Sequence, residues 1–168
     1  MNLQIARSFA YSRHLDQRDR SGGLMVEHLQ RVAAAVPPDA RAVAFLHDVV
    51  EHTDTSLREL EEQGLTRNEL GAMELLTRNE DETFEAHALR IAHAKGPAGR
   101  LARTVKLADM ADHVQNDRVD MATRPYGWAQ RHIAFGQLRT ERPLKILPSS
   151  RTAPHGLAGT IAAGEAPG

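Results

Sequence analysis

The residues with the clearest chemical potential lie together in segment 45–53, which reads FLHDVVEHT. His47 and Asp48 are adjacent, and Glu51 and His52 follow within one helical turn, so imidazole and carboxylate groups crowd an apolar stretch. Burying such groups beside a hydrophobic core is costly unless a metal ion or a hydrogen-bonding partner compensates their polarity. The segment therefore predicts a site for a divalent metal ion.

Two further candidate ligands lie far from this segment in the sequence. His28 and Asp109 each sit among apolar residues with helical spacing, in MVEHLQ and KLADMA. With His47 and Asp48 they supply two imidazoles and two carboxylates, a mixed set that suits manganese, iron or zinc. Four protein ligands would leave octahedral positions open for water and for a substrate oxygen.

Glu51 is the candidate acid–base group of this site. It follows His47 by four residues and Asp48 by three, so the three side chains can face one side of a helix. A divalent ion lowers the pKa of bound water and polarises a phosphoryl oxygen, while a neighbouring carboxylate transfers protons. The alternative is that the histidines are hydrogen-bonded core residues, the commoner role of an isolated buried histidine.

The composition limits the class of protein. The 168 residues suit one domain, and the formal net charge of -1 indicates no broad cationic surface for nucleic acid. Because cysteine is missing, disulfides, thiolate nucleophiles and cysteine-based zinc sites are excluded. No apolar run approaches the roughly 20 residues needed to cross a bilayer, and the start lacks the apolar run of a signal peptide. We therefore expect a cytoplasmic protein with a small-molecule partner, no nucleic-acid or membrane partner, and an oligomeric state that the sequence leaves open.

The spacing of apolar residues predicts an all-α fold. Small and aliphatic residues recur three and four positions apart, whereas the β-branched and aromatic runs typical of strands are missing. We expect one compact helical domain over residues 1–145. The composition of residues 146–168 predicts a disordered tail, because the segment has few large apolar side chains whose burial could offset the entropy of ordering. Proline, glycine and capping residues place helices at 3–15, 24–35, 38–52, 56–63, 67–76, 82–94, 98–114 and 126–138.

The order of these motifs resembles the HD superfamily of metal-dependent phosphohydrolases. His28, the pair His47 and Asp48, and then Asp109 match its H...HD...D pattern. Over about residues 6–113 the chain also resembles the small HD proteins related to RelA/SpoT-type guanosine tetraphosphate hydrolases. The matching segments are HLDQRDRSG at 14–22, HLQRVA at 28–33, LHDVVE at 46–51, LTR at 76–78, ETF at 82–84 and VKLAD at 105–109.

The resemblance implies a compact helical HD domain with a bound metal, usually manganese, and Glu51 as the catalytic acidic residue. The implied reaction is hydrolytic release of the 3'-pyrophosphate from a guanosine polyphosphate, (p)ppGpp, with metal-bound water attacking phosphorus. The implied metal ligands are His28, His47, Asp48 and Asp109.

The chain departs from the family pattern at two positions. His52 stands where the family usually has Asp after the catalytic Glu, and His113 stands where it usually has Asn. Because an imidazole can act as an acid or a base, His52 is a second catalytic candidate. It could equally mark a different substrate.

Four residues are candidates for substrate binding. Arg20 matches a basic residue that helps hold the nucleotide base in the family, although an exposed loop arginine is commonplace. Asp112 and His113 follow Asp109 by three and four residues and share its side of the helix, where an ordinary ion pair is the alternative. Arg131 is a candidate phosphate partner, although an arginine on a helix usually belongs to its solvated face.

Three functional hypotheses follow. The first is a cytoplasmic metal-dependent phosphohydrolase of a phosphorylated nucleotide, with guanosine tetraphosphate as the first substrate to test. The second keeps the metal but changes the nucleotide or phosphoester, because His52 and His113 depart from the family. The third is a non-catalytic nucleotide-binding regulatory module, which Glu51 argues against, since a site that only binds has no evident need of this acid.

Overall fold

The computed structural model describes residues 1–19, 21–116 and 126–141, with side chains described as far as 136. Over these ranges every regular element is helical, so the predicted all-α class is confirmed. Arg20 and the predicted tail at 146–168 lie outside the described residues. The helices are α1 (Leu3–Arg13), α2 (Met25–Ala35), α3 (Arg41–Leu46), α4 (Val49–His52), α5 (Leu57–Glu62), α6 (Arg67–Leu76), α7 (Phe84–His93), α8 (Gly96–Asn116) and α9 (Tyr126–Glu141), with a 3₁₀ turn at Pro38–Ala40 before α3.

Local capping residues set several helix boundaries. Before α6, Thr66 and Glu69 form a reciprocal capping box, in which the Glu69 carboxylate accepts the Thr66 N–H at 2.7 Å. Ser56 and Thr83 cap α5 and α7 through their side-chain oxygens, which accept the backbone N–H groups of Glu59 and Ala86. Because such caps satisfy free N–H groups with nearby side chains, they can be read from the sequence. Apart from the segment 38–52, predicted and observed helix ends agree to within three residues.

The predicted continuous helix over residues 38–52 is wrong. The segment is divided into the 3₁₀ turn, α3 and α4, and His47 and Asp48 form the two-residue turn between α3 and α4. Asp48 has φ -99° and ψ -9°, away from the ideal helical angles. The His47 ring donates a hydrogen bond from Nδ1 to the Ala44 carbonyl at 2.8 Å, and such a side-chain donor competes with the backbone bonds of a helix. Apolar periodicity continues across so short a turn and therefore cannot predict it.

Core packing holds the metal-ligand candidates in place. Each candidate ligand has a fully buried apolar neighbour in the sequence. These neighbours are Leu29, Leu46, Val49 and Met110, and all four are 0% exposed. The long helix α8 packs against α2, α6, α7 and α9, so it connects the parts of the fold. The ligand positions therefore lie at the edge of the core, where close packing restricts movement. None of the described helices combines the length and the apolar character needed to span a membrane.

Candidate metal centre

Four side chains from three parts of the fold converge on one point. His28 comes from α2, His47 and Asp48 from the turn between α3 and α4, and Asp109 from α8. The Nε2 atoms of His28 and His47 are 3.4 Å apart, and Asp109 Oδ1 lies 3.5 Å and 3.6 Å from them. The Asp48 carboxylate completes the group, with Oδ1 3.4 Å from His47 Nε2 and Oδ2 3.8 Å from His28 Nε2. Two donors bound at about 2.1 Å to one ion lie about 3.0 to 3.4 Å apart, so this cluster is close to the size of a metal centre.

The hydrogen bonds of the two histidines make the group a fit for a cation. Nδ1 of His28 lies 2.8 Å from Asp112 Oδ2, and Nδ1 of His47 lies 2.8 Å from the Ala44 carbonyl oxygen. Because both partners accept hydrogen bonds, each Nδ1 carries the proton, and a neutral ring then presents a lone pair at Nε2. Asp109 Oδ1 is buried and makes no hydrogen bond. Lone pairs and carboxylate oxygens thus face one another, an arrangement that a divalent cation would stabilise.

The pKa values show that this point attracts positive charge. Burial would lower the pKa of His47, but the charges of Asp48 and Asp109 raise it to about 9. Burial would raise the pKa of Asp109, but Lys106, whose Nζ lies 2.8 Å from Oδ2, helps to hold it well below its ordinary value. The pKa of His28 is lowered by burial and by the neighbouring His47. Without a metal, the cluster therefore takes up a proton on one imidazole, and a bound cation would replace that proton.

Asp112 lies behind His28 and does not line the cavity over the ligands. Its carboxylate is buried and accepts hydrogen bonds from His28, from Arg31 at 2.7 Å and 2.9 Å, and from Asn116 at 2.9 Å. The sequence spacing from Asp109 predicts that Asp112 lies near the site. Spacing along one helix does not predict that α2 packs against this part of α8. Its contacts suit a residue that orients the His28 ring, which differs from the substrate contact that the sequence suggested.

A cavity of about 630 Å³ opens over the ligands, and its size is typical of small-molecule sites. Glu51 and His52 both line it. Glu51 accepts a hydrogen bond from the Arg78 backbone N–H at 3.3 Å, and its side chain is 30% exposed. His52 Nε2 lies 4.0 Å from Asp48 Oδ1. The predicted substrate residue His113 lines the cavity as well, whereas Arg131 is exposed on α9 and does not.

The sequence reading missed several residues of this cavity. Lys106 and Arg78 supply cationic groups to it, and Phe84 and Tyr126 supply aromatic rings that pack edge to face at 5.5 Å. Lys106, Arg78 and Phe84 lie within the segments that resemble RelA/SpoT-type proteins, and that resemblance is the signal that could have found them. A single lysine or arginine is otherwise most often a solvated surface residue.

The comparisons with known proteins bear on the fold. No family model matches the sequence, and no curated protein matches it significantly. A solved structure does match: a metazoan ortholog of SpoT, described as hydrolysing ppGpp and as playing a role in starvation responses. The TM-score is 0.63 with 20% sequence identity, and the match covers 82% of this chain and 86% of that chain. The chain therefore shares the helical fold of a SpoT-type protein.

Proposed function

We propose that this protein is a metal-dependent phosphohydrolase acting on a phosphorylated nucleotide, and that (p)ppGpp is its first candidate substrate. The proposal depends on one observation, the convergence of His28, His47, Asp48 and Asp109 beneath a cavity of about 630 Å³. The ordered motifs that resemble RelA/SpoT-type hydrolases support the choice of nucleotide. The fold shared with a ppGpp-hydrolysing SpoT ortholog supports it as well.

The four candidate ligands would hold a divalent ion in a fixed position, and the resemblance to HD proteins indicates manganese. When bound, such an ion activates water and neutralises charge on a phosphoryl oxygen. Asp112 and the Ala44 carbonyl keep the proton of each histidine on Nδ1, so both Nε2 atoms remain available as ligands. Lys106 binds the second carboxylate oxygen of Asp109 and turns Oδ1 toward the histidines.

Glu51 is the proposed proton acceptor during hydrolysis. Its carboxylate lines the cavity and is held by the backbone N–H of Arg78, so it points in a defined direction. A positioned carboxylate of this kind contributes about 10²- to 10⁴-fold to a reaction rate. His52 is the second candidate for proton transfer, since its ring also lines the cavity beside Asp48.

The cavity wall offers partners for a phosphorylated nucleotide. Lys106, Arg78 and Arg18 can neutralise phosphate charge, while Phe84 and Tyr126 offer apolar surface to a base. His113 also reaches the cavity and is a proposed contact. Arg20, proposed from the resemblance alone, and Arg131, exposed on α9, are the remaining substrate candidates.

A metal-reconstitution assay tests the proposal. The protein is stripped with chelator and supplied separately with manganese, iron(II) or zinc, and pyrophosphate and phosphate release are followed over a panel of nucleotides that includes guanosine tetraphosphate. We expect pyrophosphate release by the native protein and loss of both metal binding and turnover in Asp48→Asn. Asp54→Asn is the matched control, because Asp54 is an exposed carboxylate directly after segment 45–53 and does not line the cavity.

Glu51→Gln separates chemistry from metal binding. We expect this variant to keep metal affinity within a few-fold of the native protein while turnover falls by about 10²- to 10⁴-fold. If the protein turns over a different nucleotide or phosphoester and not (p)ppGpp, that compound becomes the assigned substrate. Tight nucleotide binding by the native protein without turnover under any metal would refute the enzyme proposal in favour of a regulatory module.

A further inference from the structure

His113 lies directly against the proposed metal centre, on the last turns of α8. Its Nε2 atom is 3.0 Å from Asp109 Oδ1, and its ring stacks on the His28 ring with centroids 4.8 Å apart. The side chain is 23% exposed and lines the cavity. A separation of 3.0 Å is that expected between two neighbouring ligands of one ion, at about 2.1 Å from it.

Two overlapping triads of donor atoms are compact enough to hold an ion. One consists of His28, His47 and Asp48, and the other of His28, Asp109 and His113. They cannot be two independent sites, because both need Nε2 of His28 while its Nδ1 is hydrogen-bonded to a carboxylate. An imidazole Nε2 has one lone pair and binds one metal. The two triads therefore share His28 and cannot hold separate ions at the same time.

We infer that His113 is a fifth protein ligand of this centre, and that three imidazoles make it prefer zinc or iron(II) to manganese. This inference depends on the metal site of the proposed function, extends its ligand set, and replaces manganese by zinc or iron(II) as the expected ion. Imidazole nitrogen suits zinc and iron, whereas carboxylate and water oxygens suit manganese, which is also the weakest binder of the divalent series. Asparagine at this position would supply an amide, which is a far poorer ligand than imidazole.

The competing explanation is that His113 only donates a hydrogen bond to Asp109. The distance of 3.0 Å between His113 Nε2 and Asp109 Oδ1 fits such a hydrogen bond as well as a pair of neighbouring ligands, and His113 contributes to the low pKa of Asp109. His113→Asn separates the two explanations, because an asparagine amide can still donate to a carboxylate but scarcely binds a metal.

The experiment measures metal affinity instead of hydrolysis. Chelator-stripped native protein and His113→Asn are titrated with Zn²⁺ and with Mn²⁺ against a chromophoric chelator. We expect Zn²⁺ affinity to fall by about tenfold or more in the variant, with Mn²⁺ affinity changing much less. The visible spectrum of the Co²⁺-substituted protein should also change, because the intensity of d–d absorption depends on coordination number and ligand type. His93→Asn, an exposed histidine on α7, is the control and should match the native protein.

The outcomes distinguish this inference from the proposed function. Equal losses for both metals with an unchanged Co²⁺ spectrum would show that His113 merely orients Asp109 and would overturn the inference. Native protein that binds no divalent ion would overturn the proposed function as well. If the variant does not fold, X-ray absorption of the zinc-loaded native protein tests the inference instead. The scattering from imidazole rings should indicate three bound histidines, and a count of two would refute His113 as a ligand.

Discussion

Replacing Asp112 by asparagine should weaken metal binding without removing any of the five proposed ligands. In the native protein, Asp112 Oδ2 accepts hydrogen bonds from His28 Nδ1 at 2.8 Å and from Arg31 at 2.9 Å, while Oδ1 accepts from Arg31 at 2.7 Å. An asparagine amide accepts through its oxygen alone, so its NH₂ group must face one of these donors. The His28 ring then loses its anionic partner or its fixed orientation.

The size of the effect follows from that contact. Losing the hydrogen-bonding partner of a metal-bound histidine costs about 10- to 100-fold in metal affinity, or about 1.4 to 2.7 kcal/mol. At saturating metal the same free energy is lost from the metal-dependent part of the stability. Since 1 kcal/mol corresponds to about 2–4 °C in Tm for a chain of this size, the metal-induced rise in Tm should shrink by about 3–11 °C.

The assay compares Tm with and without saturating metal for the native protein, Asp112→Asn and Arg31→Ala. Arg31→Ala is the matched control, because it removes the outer ion pair of Asp112 but leaves the hydrogen bond to His28. Both variants should lower Tm without metal, whereas Asp112→Asn alone should reduce the metal-induced rise. An unchanged rise in Asp112→Asn would refute the view that Asp112 tunes His28 as a ligand.

Two further predictions concern stability away from the metal centre. The hydrogen bonds from Arg90 lower the pKa of Glu82 to about 2, against the effect of burial. Because the folded pKa lies below the unfolded one, this stabilisation is present above about pH 4.5 and is lost as the pH falls toward 2. Because the partly exposed pair is screened, urea unfolding should show Arg90→Met about 1–2 kcal/mol less stable than the native protein at pH 6. The difference should shrink near pH 2, where the hydrogen bonds from Arg90 to the Glu74 and Thr77 carbonyls still stabilise the native protein. A difference that does not change with pH would contradict this. Gly136→Ala should destabilise the protein by about 1–3 kcal/mol, because the added Cβ would lie 2.1 Å from the Ala92 carbonyl oxygen. Gly127→Ala is the control and should be neutral or slightly stabilising, because the nearest atom to its added Cβ is 3.6 Å away. Equal thermal shifts for the two variants would contradict the α7–α9 packing.

The helices could be predicted from the sequence because their determinants are local. Apolar spacing, the capping box at Thr66 and Glu69, and the proline and glycine positions act within a few residues, so they predict where helices begin and end. The types of ligand followed from the ordered motifs around His28, His47, Asp48 and Asp109. Their convergence was a hypothesis at that point, because residues 81 positions apart are brought together only by packing, as His28 and Asp109 are.

The tertiary structure decided how the residues around the ligands are used. Helical spacing places Asp112 and His113 equally near Asp109, yet α2 packs so that Asp112 holds His28 while His113 reaches the cavity. The turn at His47 and Asp48 likewise depends on a ring that hydrogen-bonds to the carbonyl of Ala44. Spacing along a helix determines which side chains share a face. Only the packing of other helices against that face determines which of them meets a neighbour and which meets a ligand.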